Sequence, residues 1–125
     1  MPNKNKEGDK TMEIINQYGE FTKAEIFNTA KKGGRLLKNE EAGLVMDVAR
    51  LLVVNDKKTS ADGTEKVSQI MHIFTKDGDV YTTESPTLQE TLLDAVDYMG
   101  THELKFVLLK KKSKNNREFM DVDLI

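Results

Sequence analysis

The chain has 125 residues, with 19 Lys and Arg against 21 Asp and Glu, and its formal net charge is -2. This length suits one domain, and 38% hydrophobic residues are enough for one small core. The absence of cysteine excludes disulfides, thiolate zinc sites and a cysteine nucleophile, and it suits a reducing interior. Because polar residues follow Met1, we expect no signal peptide, and no apolar run approaches the roughly 20 residues that span a bilayer. We therefore expect a soluble intracellular domain with no membrane association.

The first 19 residues differ in composition from the rest of the chain. Residues 1–11 are almost entirely polar, and such a segment cannot bury enough surface to offset its ordering entropy, so we expect it to be disordered. Residues 12–18 are a short apolar patch, either a helical turn or a strand, that needs a packing partner. We therefore expect residues 1–19 to form a flexible extension, with a role of its apolar part in self-association, and residues 20–125 to form the domain.

The middle of the chain has the patterns of strands. Residues 21–31 alternate at a period of two, which places Lys23, Phe27 and Lys31 on one face of a first strand. Residues 56–63 have the composition of a loop. The Asp77-Gly78 pair predicts a hairpin turn, because it tolerates the positive φ that such turns demand. Further strands are predicted at residues 44–54, 67–75, 80–83, 104–109 and 117–125.

One segment has the period of a helix. Ser85 suits the N-cap, Pro86 the first helical position and Gly100 the C-cap. Apolar residues recur there at i, i+3 and i+4 spacing: Leu88, Thr91, Leu92, Ala95, Val96 and Met99. With the hairpin counted as an extension of the third strand, this element order predicts a mainly β, OB-like five-stranded Greek-key barrel with one helix between the third and fourth strands. Other small α+β folds with one helix also fit the order.

The sequence contains no recognisable catalytic motif. The histidines His72 and His102 stand in no H-E-x-x-H pattern, and neither a G-x-S-x-G motif nor a phosphate-binding loop is present. His72 is expected to be a partly buried strand residue. The spacing of the acidic residues is typical of the solvent-exposed faces of strands and helices. We therefore expect no enzyme, no metal site and no cofactor.

Basic residues with aromatic residues between them are the better lead. A surface for single-stranded nucleic acid needs cations along the phosphates and flat rings for base stacking. Residues 84–103 contain five acidic residues and no Lys or Arg, whereas residues 105–117 contain six cations and no acidic residue. Despite the near-neutral net charge, this distribution predicts a surface with separate acidic and basic regions. The candidate DNA contacts are Lys23, Phe27, Lys31, Arg35, Lys38, Arg50, Phe74, Tyr81, Lys110, Lys112, Arg117 and Phe119.

Each of these features has a plainer explanation. Phe27 or Phe74 could belong to the core, Tyr81 could be an ordinary strand aromatic, and a lysine-rich hairpin could serve only solubility. An alternative function is a protein-binding module that engages a host protein through the acidic face of the predicted helix. Its contacts would be Glu90, Asp94 and Asp97.

A series of short motifs resembles one known family. The series is Ile26-Phe27-Asn28, Gly33-Gly34, Lys38-Asn39, Gly43, Ile73-Phe74, Asp77-Gly78, Tyr81 and Ser85, followed by the helix and two strands. In this order it resembles the small single-stranded-DNA-binding proteins of protein-primed Bacillus phages, the Salasmaviridae.

This resemblance implies a function and a place of action. It implies a protein that coats displaced single strands during phage replication in the cytoplasm of the infected bacterium, with single-stranded DNA, other copies of itself and phage replication proteins as partners. It also implies that Tyr81 stacks on bases. The other tyrosines of the family have no counterpart here, since Val54, Asn55 and Asp62 stand near those places, which leaves Phe27, Phe74 or Phe119 to compensate.

Overall fold

The computed structural model describes residues 10–100 and 104–125. Within them it has seven strands and two α-helices. In chain order these are β1 (Lys10–Tyr18), α1 (Lys23–Lys32), β2 (Arg35–Leu36), β3 (Val45–Thr59), β4 (Glu65–Thr75), β5 (Val80–Thr83), α2 (Pro86–Met99), β6 (Lys105–Lys112) and β7 (Glu118–Leu124), with a 3₁₀ turn at Leu37–Asn39. Neither helix is long and apolar enough to cross a membrane.

The strands form one curled sheet, which wraps part of the way towards a barrel. The strand order is β2-β5-β4-β3-β6-β7, and β1 pairs with β3. Strand β3 is the longest, with 15 residues, and lies antiparallel to β4 along one edge. Its other edge is divided, because residues 45–47 pair with β6 and residues 51–58 pair with β1. One long strand therefore organises most of the sheet.

The hydrophobic core lies between one face of the sheet and α2. Residues in a strand alternate between the two faces, so that Leu51 and Val53 of β3 point into the core beside Met71 and Ile73 of β4. Helix α2 contributes three fully or nearly fully buried residues at helical spacing, Leu88, Leu92 and Val96. Strands β6 and β7 add Phe106, Leu108 and Val122.

Helix α2 confirms the prediction from sequence. The Ser85 hydroxyl accepts a hydrogen bond from the Leu88 N–H at 3.3 Å, and Pro86 begins the helix. Gly100, at φ 76°, donates its N–H to the Val96 carbonyl at 2.7 Å, as a C-cap does. The buried Gln89 side chain ties the helix to the sheet, because its Nε2 donates to the Gln69 carbonyl at 2.9 Å.

The second face of the sheet carries α1, where the prediction was wrong. Residues 21–31 were expected to be a strand, but Lys23–Lys32 is a helix. Its start is a capping box, in which Thr22 Oγ1 accepts from the Glu25 N–H at 3.1 Å and Glu25 Oε1 accepts from the Thr22 N–H at 3.0 Å. Gly33, at φ 67°, ends the helix. These local hydrogen bonds outweigh an alternation that is too short to decide between strand and helix.

Other element boundaries also differ from the expectation. The sheet has seven strands rather than five, since β1 and β2 were not predicted as strands of the domain. Strand β3 runs to Thr59, so the predicted loop at residues 56–63 is wrong in its first half. The strands predicted at 67–75 and 80–83 and the turn between them are confirmed. The prediction of disorder covers residues 1–9, which lie outside the described residues, and residues 10 and 11, which lie in β1.

The two ends of the sheet approach each other. Lys110 Nζ on β6 donates to the carbonyl of Lys38 in the 3₁₀ turn that follows β2, at 3.2 Å. Leu36 of β2 and Met120 of β7 line the same small hollow, together with Thr82 of β5. The 3₁₀ turn and β2 therefore lie close to β6 and β7, and the curl brings the outer strands of the sheet near each other.

Candidate nucleic-acid interface

Three aromatic rings are strongly exposed in the part of the chain that the structure describes. Their exposed fractions are 62% for Phe27, 87% for Tyr98 and 44% for Phe119. Tyr98 lies on α2, where Asp94 and Asp97 are also exposed. Phe27 instead lies on α1 with exposed lysines, and Phe119 lies on β7 beside the exposed cations of β6 and of the β6–β7 turn. Because a single-strand surface combines flat rings with cations, α1 and the β6–β7 hairpin are the candidate sites.

Helix α1 presents a positive surface around Phe27. Lys31 Nζ lies 5.8 Å from the centroid of the Phe27 ring, and Lys23 and Lys32 are also exposed. The helix contains one acid, Glu25, whose Oε2 pairs with Arg50 Nη1 at 3.0 Å. The charge of that acid is therefore compensated, and the lysines dominate the exposed side of α1.

A hollow of about 390 Å³ lies between α1 and the second face of the sheet. The sheet contributes Val54, Ile70 and His72, which share the face opposite the core. The remaining lining residues are Phe27, Ala30 and Lys31 of α1 and Asp56 of β3. The hollow is mostly apolar, is open to solvent, and has one cation and one carboxylate in its lining.

His72 is the buried polar side chain of this hollow. It is 3% exposed, and its Nδ1 lies 3.0 Å from Thr82 Oγ1, which also accepts a hydrogen bond from the Gly34 N–H at 2.8 Å. Burial lowers the pKa of His72 to about 4, so the imidazole is neutral at pH 7. A Cβ on Gly34 would lie 2.5 Å from the Val80 carbonyl oxygen, so glycine is needed for this close approach. His72 lies in a strand, as expected, but it is fully rather than partly buried. His102 lies outside the described residues.

Arg50 and Phe74 hold α1 against the sheet. The Arg50 guanidinium lies 4.4 Å from the ring centroid of Phe21 and 4.8 Å from that of Phe74. The two rings meet edge to face, with centroids 5.0 Å apart. Arg50 Nη1 also donates to the Glu20 carbonyl at 2.8 Å, in addition to its ion pair with Glu25. Both Arg50 and Phe74 are therefore occupied by contacts within the molecule, which disfavours their predicted roles on DNA.

Tyr81 corrects the role that the resemblance implied. The residue is 4% exposed and belongs to the hydrophobic core, so its ring is not accessible for stacking on a base. The Arg35 guanidinium lies 5.9 Å from its centroid. The pKa of the Tyr81 hydroxyl is raised, first by burial and then by the nearby Asp79 carboxylate. Arg35 itself is exposed on β2.

The β6–β7 hairpin is the second cationic site. Its turn is closed by the Ser113 N–H donating to the Arg117 carbonyl at 2.9 Å, with Asn116 at φ 63°. Lys111 pairs with Asp121 at 2.9 Å. The other hairpin cations near the turn and the adjacent ring are exposed: Lys112, Lys114, Arg117 and Phe119.

The structure divides the predicted contacts into five local sets. Two sets combine a cation with an exposed ring, one on α1 and one on the hairpin. The other three are pairs that contact within the fold. The set on α1 is Lys23, Phe27 and Lys31, and the set on the hairpin is Lys112, Arg117 and Phe119. The three pairs are Arg35 with Tyr81, Lys38 with Lys110, and Arg50 with Phe74.

Sequence reasoning missed several participants in these sites. Lys32 extends the cationic surface of α1, and Phe21 completes the cluster around Arg50. Val54 lines the hollow. The T-x-x-E pattern of a capping box at Thr22 and Glu25 was a signal in the sequence that could have identified α1 and hence these neighbours.

Comparison with known proteins identifies the family of this chain. A family model described as "Phage Single-stranded DNA-binding protein" matches residues 10–125. The single-stranded DNA-binding proteins of Bacillus phages phi29 and PZA are each 28% identical to this chain over 85 residues, which is 68% of this chain and 68% of each relative. No solved structure shows a significant match. The resemblance inferred from sequence motifs is thus confirmed, and the chain belongs to the family of phage single-stranded DNA-binding proteins.

Proposed function

We propose that this protein binds single-stranded DNA without sequence specificity and without catalysis, and that it coats and protects displaced strands during phage DNA replication in the cytoplasm of the infected bacterium. The observation that carries the proposal is the family match over residues 10–125. The exposed rings of Phe27, on α1 with exposed lysines, and of Phe119, beside the exposed cations of the β6–β7 hairpin, support it, because ring stacking and phosphate neutralisation are the two ingredients of such binding.

We infer that strands β3 to β7 form an OB-like barrel to which β1, α1 and β2 are added. In an OB-fold the first strand pairs with both the second and the fourth, and a helix follows the third. Strand β3 pairs with β4 and with β6, and α2 lies between β5 and β6, which matches that arrangement. The approach of the 3₁₀ turn after β2 to β6 supports partial closure of the barrel.

We also propose that the protein self-associates through β1. Within the described residues β1 pairs with β3 alone, so its other edge is open, and Ile14 and Ile15 are 45% and 39% exposed. An open edge strand with exposed apolar residues is a template for pairing with another chain. Phage replication proteins are further partners that a DNA-coating protein would meet.

Titration of a fluorescent oligo-dT tests the main proposal. We expect binding at micromolar protein that weakens between low and moderate salt, because phosphate contacts release counterions. A duplex of the same length should bind much more weakly, since its bases are not available for stacking. Absence of binding to oligo-dT, or equal binding to the duplex, would contradict the proposal.

A further inference from the structure

We propose that the hollow between α1 and the sheet receives one nucleobase of the bound strand, which stacks on Phe27 while Lys31 contacts the phosphate beside it. This inference rests on the proposed function, and it adds a defined base-binding site to it. It makes Phe27, rather than the buried Tyr81, the stacking ring on this side of the molecule.

The size and lining of the hollow fit a flat heterocycle. Its volume of about 390 Å³ lies within the range of about 300–1,000 Å³ that is typical of small-molecule sites. Val54 and Ile70 form an apolar floor on the sheet, and Ala30 on α1 leaves space opposite them. A nucleobase has apolar faces and a polar edge, so it can use an apolar hollow that contains few polar groups.

Phe27 is exposed because α1 packs against the rest of the molecule through other residues. On α1, Thr29 is buried and Ile26 and Ala30 are partly buried, so the helix packs by these residues and not by the phenylalanine. Phe27 remains 62% exposed at the edge of the hollow, with Lys31 one turn further along the helix. A ring left in solvent beside a cation is positioned for a base and its phosphate.

His72 supplies the polar group that a base edge would meet. Its imidazole is 97% buried, lines the hollow, and bonds Thr82 through Nδ1. Nε2 has no hydrogen-bond partner among the described residues. A buried ring nitrogen without a partner is costly unless a ligand or water satisfies it, and the edge of a base carries suitable donors and acceptors.

The charges of the hollow decide between a base and other occupants. A phosphate inside it would lose its hydration among apolar side chains and would approach the Asp56 carboxylate, so the phosphate belongs outside, on Lys31. An apolar side chain from a second copy would fill the space without using Lys31 or His72. A base inside the hollow with its phosphate outside uses the Phe27 ring, the Lys31 cation and the His72 imidazole together.

Two variants of the full-length protein test this site by different routes. Phe27→Leu keeps an apolar side chain but removes the flat ring, and we expect it to weaken oligo-dT binding by roughly tenfold, the loss expected for one stacked base. Ala30→Met keeps Phe27 and Lys31 but fills the hollow, and we expect a similar loss. Tyr98→Leu, which removes an exposed ring on acidic α2, is the matched control and should bind as the wild type does.

A 2-aminopurine base within the oligonucleotide reports on the stacking directly. We expect its fluorescence to change on binding to the wild type and to Tyr98→Leu, and to change much less with Phe27→Leu and Ala30→Met. Thermal unfolding of each variant shows that it is folded, and sedimentation shows whether its mass has changed.

The outcomes separate this inference from the proposed function. If the wild type binds oligo-dT and both variants bind equally well, the base site is wrong and the proposed function stands. If Phe27→Leu weakens binding but Ala30→Met does not, the base stacks outside and the hollow is not its site. If the variants change the mass of the protein instead of its affinity, a second copy occupies the hollow. If the wild type itself does not bind, the proposed function fails.

Discussion

His72 couples the stability of the protein to pH through a single buried ring. In the folded state burial lowers its pKa to about 4, whereas in the unfolded chain it has its ordinary value near 6.5. Between these values the unfolded state binds a proton that the folded state does not, so the free energy of unfolding decreases as the pH falls from about 6.5 to about 4. The stability is fully present above pH 6.5. The loss within this window is at most about 3.5 kcal/mol, at about 1.4 kcal/mol per pH unit.

The substitution His72→Gln is expected to flatten this dependence. The variant should be less stable than the wild type at pH 7, since it loses ring packing and the contact with Thr82. Its free energy of unfolding should change less between pH 6.5 and 4.5, which urea titration at a series of pH values measures. That range avoids most of the titration of Asp62, whose pKa is lowered to about 2, first by the Ser60 hydroxyl. An unchanged slope would mean that His72 is not the group responsible.

The sequence alone could not show which of the predicted DNA-contacting residues are exposed. Phe27, Phe74 and Tyr81 are all aromatic residues in patterned segments, and nothing local distinguishes them. Tyr81 is buried because β5 lies between β2 and β4 and its ring packs in the hydrophobic core, and Phe74 is covered because Phe21 and Arg50 pack on it. Such burial depends on residues distant in the chain, so it requires the fold.

At the scale of elements, the side chain of Glu25 both caps the start of α1 and links the helix to the sheet. Glu25 completes the capping box with Thr22 and also pairs with Arg50 on β3. The pKa of Glu25 is lowered, first by the hydrogen bond from the Thr22 backbone and then by Arg50. Glu25 therefore connects the start of α1, the helix that forms one wall of the hollow, to β3.

Two substitutions at Glu25 separate these roles. Glu25→Gln keeps an acceptor for the Thr22 N–H but removes the ion pair, and we expect a small loss of stability, because the pair is partly exposed. Glu25→Ala removes both the ion pair and the capping-box hydrogen bond and should lower the stability clearly more than Glu25→Gln does. The exposed Glu41, which has no ion pair within the described residues, provides the control Glu41→Ala. Chemical denaturation measures all three, and equal losses for the two Glu25 variants would contradict the separation.

The elements differ in how far sequence could predict them. Helix α2 was predictable because Ser85, Pro86 and Gly100 mark its ends and its apolar residues repeat over several turns. Helix α1 has ten residues and few apolar ones, so its brief alternation was mistaken for a strand. Strand β1 depends on pairing with β3, more than 30 residues further along the chain, and local pattern cannot reveal such a partner.

At the scale of the whole molecule, exposed acidic residues and exposed cations are concentrated in different parts of the fold. Exposed acids, including Glu90 and Asp94, lie on α2, whereas exposed cations lie on α1 and the β6–β7 hairpin. A net charge of -2 therefore does not describe the surface that meets a phosphate backbone.

Charge removal from the hairpin should change the salt dependence of binding. We expect the triple variant Lys112→Gln, Lys114→Gln and Arg117→Gln to bind oligo-dT more weakly, with a shallower plot of log affinity against log salt. Each lost phosphate contact should reduce the slope by about 0.7. The variant Glu90→Gln with Asp94→Asn raises the net charge on α2 as a control and should leave the slope unchanged. A slope that is unaffected in the triple variant would remove the hairpin from the interface.

Self-association through β1 has a test that leaves the sheet intact. Deletion of residues 1–19 would remove a strand of the sheet, so point substitutions are preferable. We expect Ile14→Glu with Ile15→Glu to lower the sedimentation mass, because charge on an open edge disfavours pairing between strands. The exposed Val45, on the part of β3 that pairs with β6 and not with β1, provides the control Val45→Glu, which should keep the wild-type mass. An unchanged mass in the double variant would contradict the proposal.

The shared strand β3 also sets an order for the folding of the chain. The β3–β4 hairpin joins neighbouring segments, whereas Val45 pairs with Val107 of β6, a distant residue. Contacts of high sequence separation form slowly, since a long loop must close first. We expect the hairpin to form early and β6 and β7 to join last. On the ribosome, residues 45–47 of β3 would therefore stay unpaired on the edge that β6 occupies until β6 has emerged, although β1 could already cover residues 51–58 of the same edge.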